Sequence, residues 1–208
     1  MRIVGGRLRG RRLAAPSGNA TRPTSDRLRE TLFDILAHRF GVPVETTRVL
    51  DLFAGTGALG LEALSRGAAY ALFIENGAAA RGTIRRNVDE MGVAGVTRVF
   101  RRDATRLGAA GTLQPFDLVF ADPPYGRGAG ERALLSAMEG GWVADGAIAV
   151  LEEAAGADAQ PVEGFETADV RSIGGSQLRI FNARVTGRRT PQAPILPNEH
   201  LRQTREDR

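Results

Sequence analysis

The chain alternates short apolar runs with longer stretches in which apolar residues recur every three or four positions. The runs lie at 48–53, 69–74, 96–100, 116–121 and 146–151. Their length and composition suit strands buried on both faces of a parallel sheet. Between them the spacing is helical. Leu28, Leu32, Ile35 and Leu36, widened by Phe33, predict a helix from 24 to about 40, capped by Thr24 or Ser25 and closed by Gly41 and Pro43. Further helices are expected to about residue 66, at 78–91, and within 127–140, where Leu134, Leu135 and Met138 point inward. The run 146–151 should end at Glu152-Glu153, and 154–164 reads as a variable loop. Segments 170–173 and 178–185, joined by Gly174-Gly175-Ser176, predict an antiparallel hairpin. Strand–helix alternation closed by such a pair implies an α/β fold, Rossmann-like, with a seven-stranded, mostly parallel sheet and a C-terminal antiparallel hairpin.

The ends differ from this core. Apolar pieces flanking Gly5-Gly6 and Gly10 predict a small hairpin bearing Arg2, Arg7, Arg9, Arg11 and Arg12. The expected organisation is a basic hairpin and loop at 1–23, the main domain at 24–185 and a basic, disordered tail at 186–208. All 28 basic residues are Arg. Residues 1–30 carry a net +6 and 184–208 a net +3, against −5 for 31–183. Basic ends on an acidic centre suggest contact with phosphates through the ends. The chain has no cysteine, so neither disulfides nor thiolate metal sites arise, and His38 and His200 show no metal-site spacing. No apolar run reaches transmembrane length and the N-terminus is too polar for a signal peptide, which implies a soluble, cytoplasmic protein.

Candidate chemistry gathers where the runs end. Asp122-Pro123-Pro124-Tyr125 follows the run 116–121. The prolines cannot continue a ladder, and Asp122, preceding a proline, is pushed toward an extended conformation. Such a corner suits chemistry on the exocyclic amine of a nucleobase. The Asp122 carboxylate and the Pro123 carbonyl would accept the amine hydrogens, while Tyr125 stacks on the base. Asp51-Leu52-Phe53-Ala54-Gly55-Thr56-Gly57-Ala58-Leu59-Gly60 is a Gly-rich turn between a strand and a helix, where a ligand approaches the backbone closely. Glu75, 24 residues after Asp51, can accept both hydroxyls of a ribose. Turn and acid together fit NAD or S-adenosylmethionine equally. Asp103, at the next strand end, suits an adenine amino group, whereas Arg101 and Arg102 read as solvated.

Taken together, the block Arg22-Pro23-Thr24-Ser25-Asp26-Arg27-Leu28-Arg29-Glu30-Thr31-Leu32-Phe33, the Gly-rich turn and Asp122-Pro123-Pro124-Tyr125 resemble the RsmD family of bacterial 16S ribosomal RNA guanine-N2 methyltransferases. The likeness extends over about 1–184, including Arg2-Ile3-Val4-Gly5-Gly6 and Arg9-Gly10-Arg11. It implies a class I S-adenosylmethionine-dependent methyltransferase fold, transfer to guanine 966 of 16S ribosomal RNA, and a monomer that needs no metal. By this likeness Asp51, Phe53, Gly55, Gly57 and Asp122 line the cofactor, with Glu75 on its ribose and Asp103 on its adenine. Asp122, Pro123 and Tyr125 serve the target base, and Arg22 and Arg27 lie near the substrate groove. The family often carries an acid two positions after the ribose acid; Glu75-Asn76-Gly77 has none, which leaves Asn76 without an assigned role. Other amino-methyltransferases, acting on DNA adenine or cytosine or on protein glutamine, are the nearest alternatives, sharing the Gly-rich turn; the glutamine enzymes usually carry Asn where this chain has Asp122, which counts against them. An NAD-binding oxidoreductase would leave Asp-Pro-Pro-Tyr unused, and a silent RNA-binding module would leave the acids unused.

Overall fold

A computed structural model describes residues 1–15, 25–42, 44–124, 128–157 and 160–185. One sheet contains β1 (Arg48–Leu52), β2 (Tyr70–Ile74), β3 (Thr97–Phe100), β4 (Phe116–Ala121), β5 (Val143–Ala154), β6 (Phe165–Ile173) and β7 (Ser176–Ala183). Their order is β3-β2-β1-β4-β5-β7-β6. The first five are parallel, and β7 runs antiparallel between β5 and β6. The helices are α1 (Asp26–His38), α2 (Ala58–Ser65), α3 (Ala78–Met91) and α4 (Ala129–Glu139). The expected Rossmann-like sheet with its antiparallel hairpin is therefore present.

Strand pleating divides the apolar residues between two cores. Val49, Leu118 and Phe120 pack with Leu32, Leu61 and Ile84 from α1, α2 and α3. Leu50, Leu52 and Val119 pack with Leu134 of α4 and with Trp142. Burial on both faces is why these strands read as unbroken apolar runs. Strand order reverses between β1 and β4, which opens a crevice beyond their carboxyl ends.

The element boundaries depart from expectation in physically informative ways. Ser25 caps α1 by accepting the Leu28 N–H at 3.1 Å, and the helix stops at His38, before Gly41 turns the chain at φ +57. Thr24, the other expected cap, lies outside the described residues. Strand β5 runs past its expected end, so Glu152 and Glu153 sit inside the ladder opposite Leu178 and Gln177. They tolerate burial because partners wait there: Ser176 Oγ lies 2.8 Å from Glu152, and Arg179 lies 3.7 Å from Glu153. Strand β6 starts five residues early, at Phe165, because its exposed, bulged edge hides the period-two pattern. Ser176, expected in the turn, opens β7 instead. Arg102 is not solvated either; it donates to the Leu107 carbonyl at 2.6 Å and lies 5.2 Å from the Trp142 ring centroid.

The first fifteen residues form the expected hairpin in minimal form. A single antiparallel bridge joins Arg2 and Arg12, and a 3-10 turn at Gly6–Leu8 closes it. Ile3, Leu8 and Leu13 enter the core shared with α1, α2 and α3. This strap is fastened by polar side chains that the helices bury. Glu62 accepts the Val4 and Gly5 N–H groups, each at 2.8 Å, and Ser65 accepts Leu8 N–H at 2.9 Å. Arg29 donates to the Arg2 carbonyl, and Asn87 holds Ala14. Gly6, at φ +70, is obligatory, since a Cβ there would lie 2.0 Å from the Ser65 carbonyl oxygen.

Replacing Glu62 by Ala strands two part-buried backbone donors, and full burial of an unsatisfied group would cost about 1–3 kcal/mol. The expected result is a lower urea midpoint, with protease cleavage inside 1–15 preceding global unfolding. An unchanged midpoint would show that the strap is anchored elsewhere.

Candidate active site

The carboxyl rim of the sheet brings together acids that are far apart in sequence. Leu52 of β1 pairs with Ile74 of β2 and with Ala121 of β4. Glu75 and Asp122 are the next residues on those two strands, so they flank the end of β1 at one strand spacing each, about 4.8 Å. Asp51, one residue inside β1, points to the α2 face with Val49. Three carboxylates therefore converge where the strand order reverses.

Two of them shape the Gly-rich turn. Asp51 accepts the Gly60 N–H at 3.0 Å from the first turn of α2. Glu75 accepts Gly55 N–H at 3.0 Å and Gly77 N–H at 2.6 Å. Gly57 takes φ +79 as the residue before α2, and Phe53 is held at φ +59. A bulky side chain at positive φ is costly, and such strain persists only where surroundings impose it. The short side of the turn is also dictated by packing, because a Cβ at Gly60 would lie 2.4 Å from the Phe73 ring.

Burial pushes the Asp51 carboxyl well above the usual carboxylate range. The Gly60 N–H opposes that shift, and the charges of Asp122 and Glu75 add to it. Repulsion among these groups is relieved by a cation placed between them. The same carboxylates occupy backbone N–H groups at Gly55 and Gly60 that a diphosphate needs at a helix N-terminus. The rim thus gathers three acids around the Gly-rich turn, two of them bonded to its backbone.

The remaining expected residues are placed as follows. Asp103 is exposed, and Oδ1 accepts the Thr105 N–H at 2.9 Å and the Thr105 hydroxyl at 2.8 Å. Those two bonds hold its carboxyl below the ordinary value. Asp122 is half-buried and Pro123 buried. Tyr125 and Arg22 lie outside the described residues. Arg7, Arg9, Arg11, Arg12 and Arg27 are exposed, Arg11 donating to the Glu90 carbonyl at 3.0 Å. Arg29, in the same block as Arg27, is instead fully buried and paired with Asp26 at 2.8 Å. Asn76 offers its carbonyl to Arg81 at 2.6 Å.

Sequence reasoning missed Glu62 and Asn87. A signal existed for the first: one acid in the otherwise apolar helix Ala58–Ser65 must have a buried partner. A cleft of about 430 Å³ at the opposite, amino-terminal edge of the sheet is lined by Phe40, Thr46, Asp117 and Asn182 and lacks any such convergence. Among the described residues no acids and histidines are grouped to hold a metal, and no helix is long and apolar enough to cross a membrane.

Comparison with known proteins bears on the family and the fold. A family model described as Conserved hypothetical protein 95 matches residues 1–182. The chain is 43% identical to Ribosomal RNA small subunit methyltransferase D of Escherichia coli over 153 residues, 73% of this chain and 74% of that one. It is 32% identical to the protein of the same name from Haemophilus influenzae, over 73% and 78% of the two chains. The solved structure of the Escherichia coli methyltransferase candidate yhhF superposes with a TM-score of 0.75 at 36% identity, covering 89% and 98%.

Because its raised pKa makes Asp51 a proton binder in the folded state, stability should fall as pH rises from the ordinary carboxylate value toward the raised one. Asp51→Asn keeps an acceptor for Gly60 and removes the charge. The ligand-free variant is expected to melt higher than the native chain at pH 8 and to lose this pH dependence. Parallel melting curves for both proteins across pH 4–9 would contradict the cost assigned to burying the Asp51 charge.

Proposed function

The chain belongs to the RsmD family of ribosomal RNA small-subunit methyltransferases, and from that premise we propose that it transfers a methyl group from S-adenosylmethionine to N2 of a guanine in 16S ribosomal RNA, guanine 966 by family likeness. The observation that carries the cofactor assignment is the acid-lined turn. Its carboxylates favour a cation, and they already occupy amides that a pyrophosphate would require.

S-adenosylmethionine supplies an electrophilic methyl group on a sulfonium. Asp51, Phe53, Gly55 and Gly57 hold its methionine end, Glu75 accepts from the ribose and Asp103 from the adenine. The target guanine leaves its stack to reach a site at a strand end. Asp122 and the Pro123 carbonyl accept the two hydrogens of the amine, which holds the nitrogen and favours a pyramidal geometry. Tyr125 stacks on the base. Rate enhancement comes mainly from fixing the two reactants against each other, so no covalent enzyme intermediate is needed. The exposed arginines of the strap, with Arg22 and Arg27, supply salt-dependent affinity for phosphates. The chain acts in the cytoplasm as a monomer on a small-subunit particle.

The deciding measurement is transfer of labelled methyl from S-adenosylmethionine to small subunits lacking the modification, followed by identification of the product nucleoside. Label in N2-methylguanosine at one position is expected. Label in another base or in protein would overturn the assignment. In the same assay Asp122→Ala should lower turnover by roughly 10²–10³-fold, the scale of losing one positioned hydrogen-bonding group. Cofactor affinity should change little, and an equal loss of both would remove Asp122 from the base site. Replacing Arg7, Arg9 and Arg12 by Gln leaves the strap anchors intact. It should reduce the slope of log affinity against log salt by about 2, at roughly 0.7 per single-strand phosphate contact.

A further inference from the structure

The two reactants meet the protein through different elements, the turn at 54–57 for the cofactor and the strap at 1–15 for RNA. One buried side chain touches both. Asn87, on α3 and fully buried, donates from Nδ2 to the Thr56 carbonyl at 2.9 Å and to the Ala14 carbonyl at 3.2 Å. Its Oδ1 accepts the Ala14 N–H at 2.8 Å. A carboxamide has two N–H donors, and here each goes to a different element. The turn is therefore gripped twice, at Gly55 N–H by Glu75 and at Thr56 C=O by Asn87. The strap is gripped at Ala14, two residues beyond Arg12 and next to the buried Leu13.

We propose that Asn87 is a positioning residue that couples the two sites, so that RNA held on the strap arginines and cofactor held in the turn strengthen each other's binding. RNA that fixes the strap fixes Ala14. Through the shared amide it fixes the Thr56 carbonyl and so lowers the ordering cost that the cofactor meets at the turn. By linkage, the cofactor tightens RNA binding by the same factor. A clip that only stabilised the fold would weaken both sites without changing how one responds to the other. The inference rests on the proposed function, since it takes the strap and the turn as the two binding elements.

The test is calorimetric titration of the full chain with S-adenosylhomocysteine, the spent cofactor that permits no turnover, with and without unmethylated 16S ribosomal RNA. In the native protein RNA should tighten nucleoside binding about fivefold or more, the lower range of typical couplings. Asn87→Asp is isosteric but turns an oxygen toward the Thr56 and Ala14 carbonyls, and should bring the ratio to within about twofold of unity. A native ratio of one, or a ratio that survives Asn87→Asp, overturns the coupling. Should the variant not fold, hydrogen exchange in the native chain decides instead. RNA alone should slow exchange at Gly55 and Gly57, and unchanged rates there overturn the proposal. Failure of S-adenosylhomocysteine to bind under any condition would overturn the functional reading itself. Independent binding of both ligands overturns only the coupling.

Discussion

The molecule depends on carboxylates that hold backbone N–H groups of the Gly-rich turn. Asp51 takes Gly60 and Glu75 takes Gly55, which places the turn between the ends of β1 and β2. Both acids stand at the carboxyl rim of the sheet, where the strand order reverses. Shape and electrostatics of the site thus have one cause. The burden is visible at Asp51, whose burial beside two other acids holds its carboxyl far above the ordinary range. Burying a carboxyl at such a place costs folded stability unless it is hydrogen-bonded, and the Gly60 N–H is its partner.

A second layer of buried polar groups integrates the amino-terminal strap. Arg29, Glu62, Ser65 and Asn87 lie almost wholly inside, and each spends hydrogen bonds on residues 1–15. Isolated, this short hairpin has too few ladder bonds to persist. Apolar contact through Ile3, Leu8 and Leu13 and satisfaction by the helices make it part of the core. Its arginines are consequently presented on a rigid support rather than a loose tail.

Arg179 shows how tertiary pairing moves a boundary. It is buried on β7 and bonds Glu131 of α4 at 2.9 Å and the Gln160 carbonyl at 2.6 Å, with Glu153 at 3.7 Å. Without it Glu153, near the end of β5, would be a buried acid with no cation beside it. Burial and the nearby Glu131 raise the Glu153 carboxyl, with Arg179 opposing them.

Much of this was legible in the chain. Runs buried on two faces announce themselves by composition, so β1, β2, β3 and β4 lie within a residue of their expected places. The Gly-rich turn, Glu75 and Asp122 follow from strand ends, because in a parallel sheet the residue after an apolar run is already at the rim. Long-range pairing was not legible. Whether Glu62 and Asn87 face water or reach residues 4, 5 and 14 depends on elements more than fifty positions away. The same holds for Glu152 in its ladder and for Arg102 over Trp142. Local periodicity reports which residues avoid water, whereas the partner that lets a polar group avoid it is chosen only when the sheet and helices close.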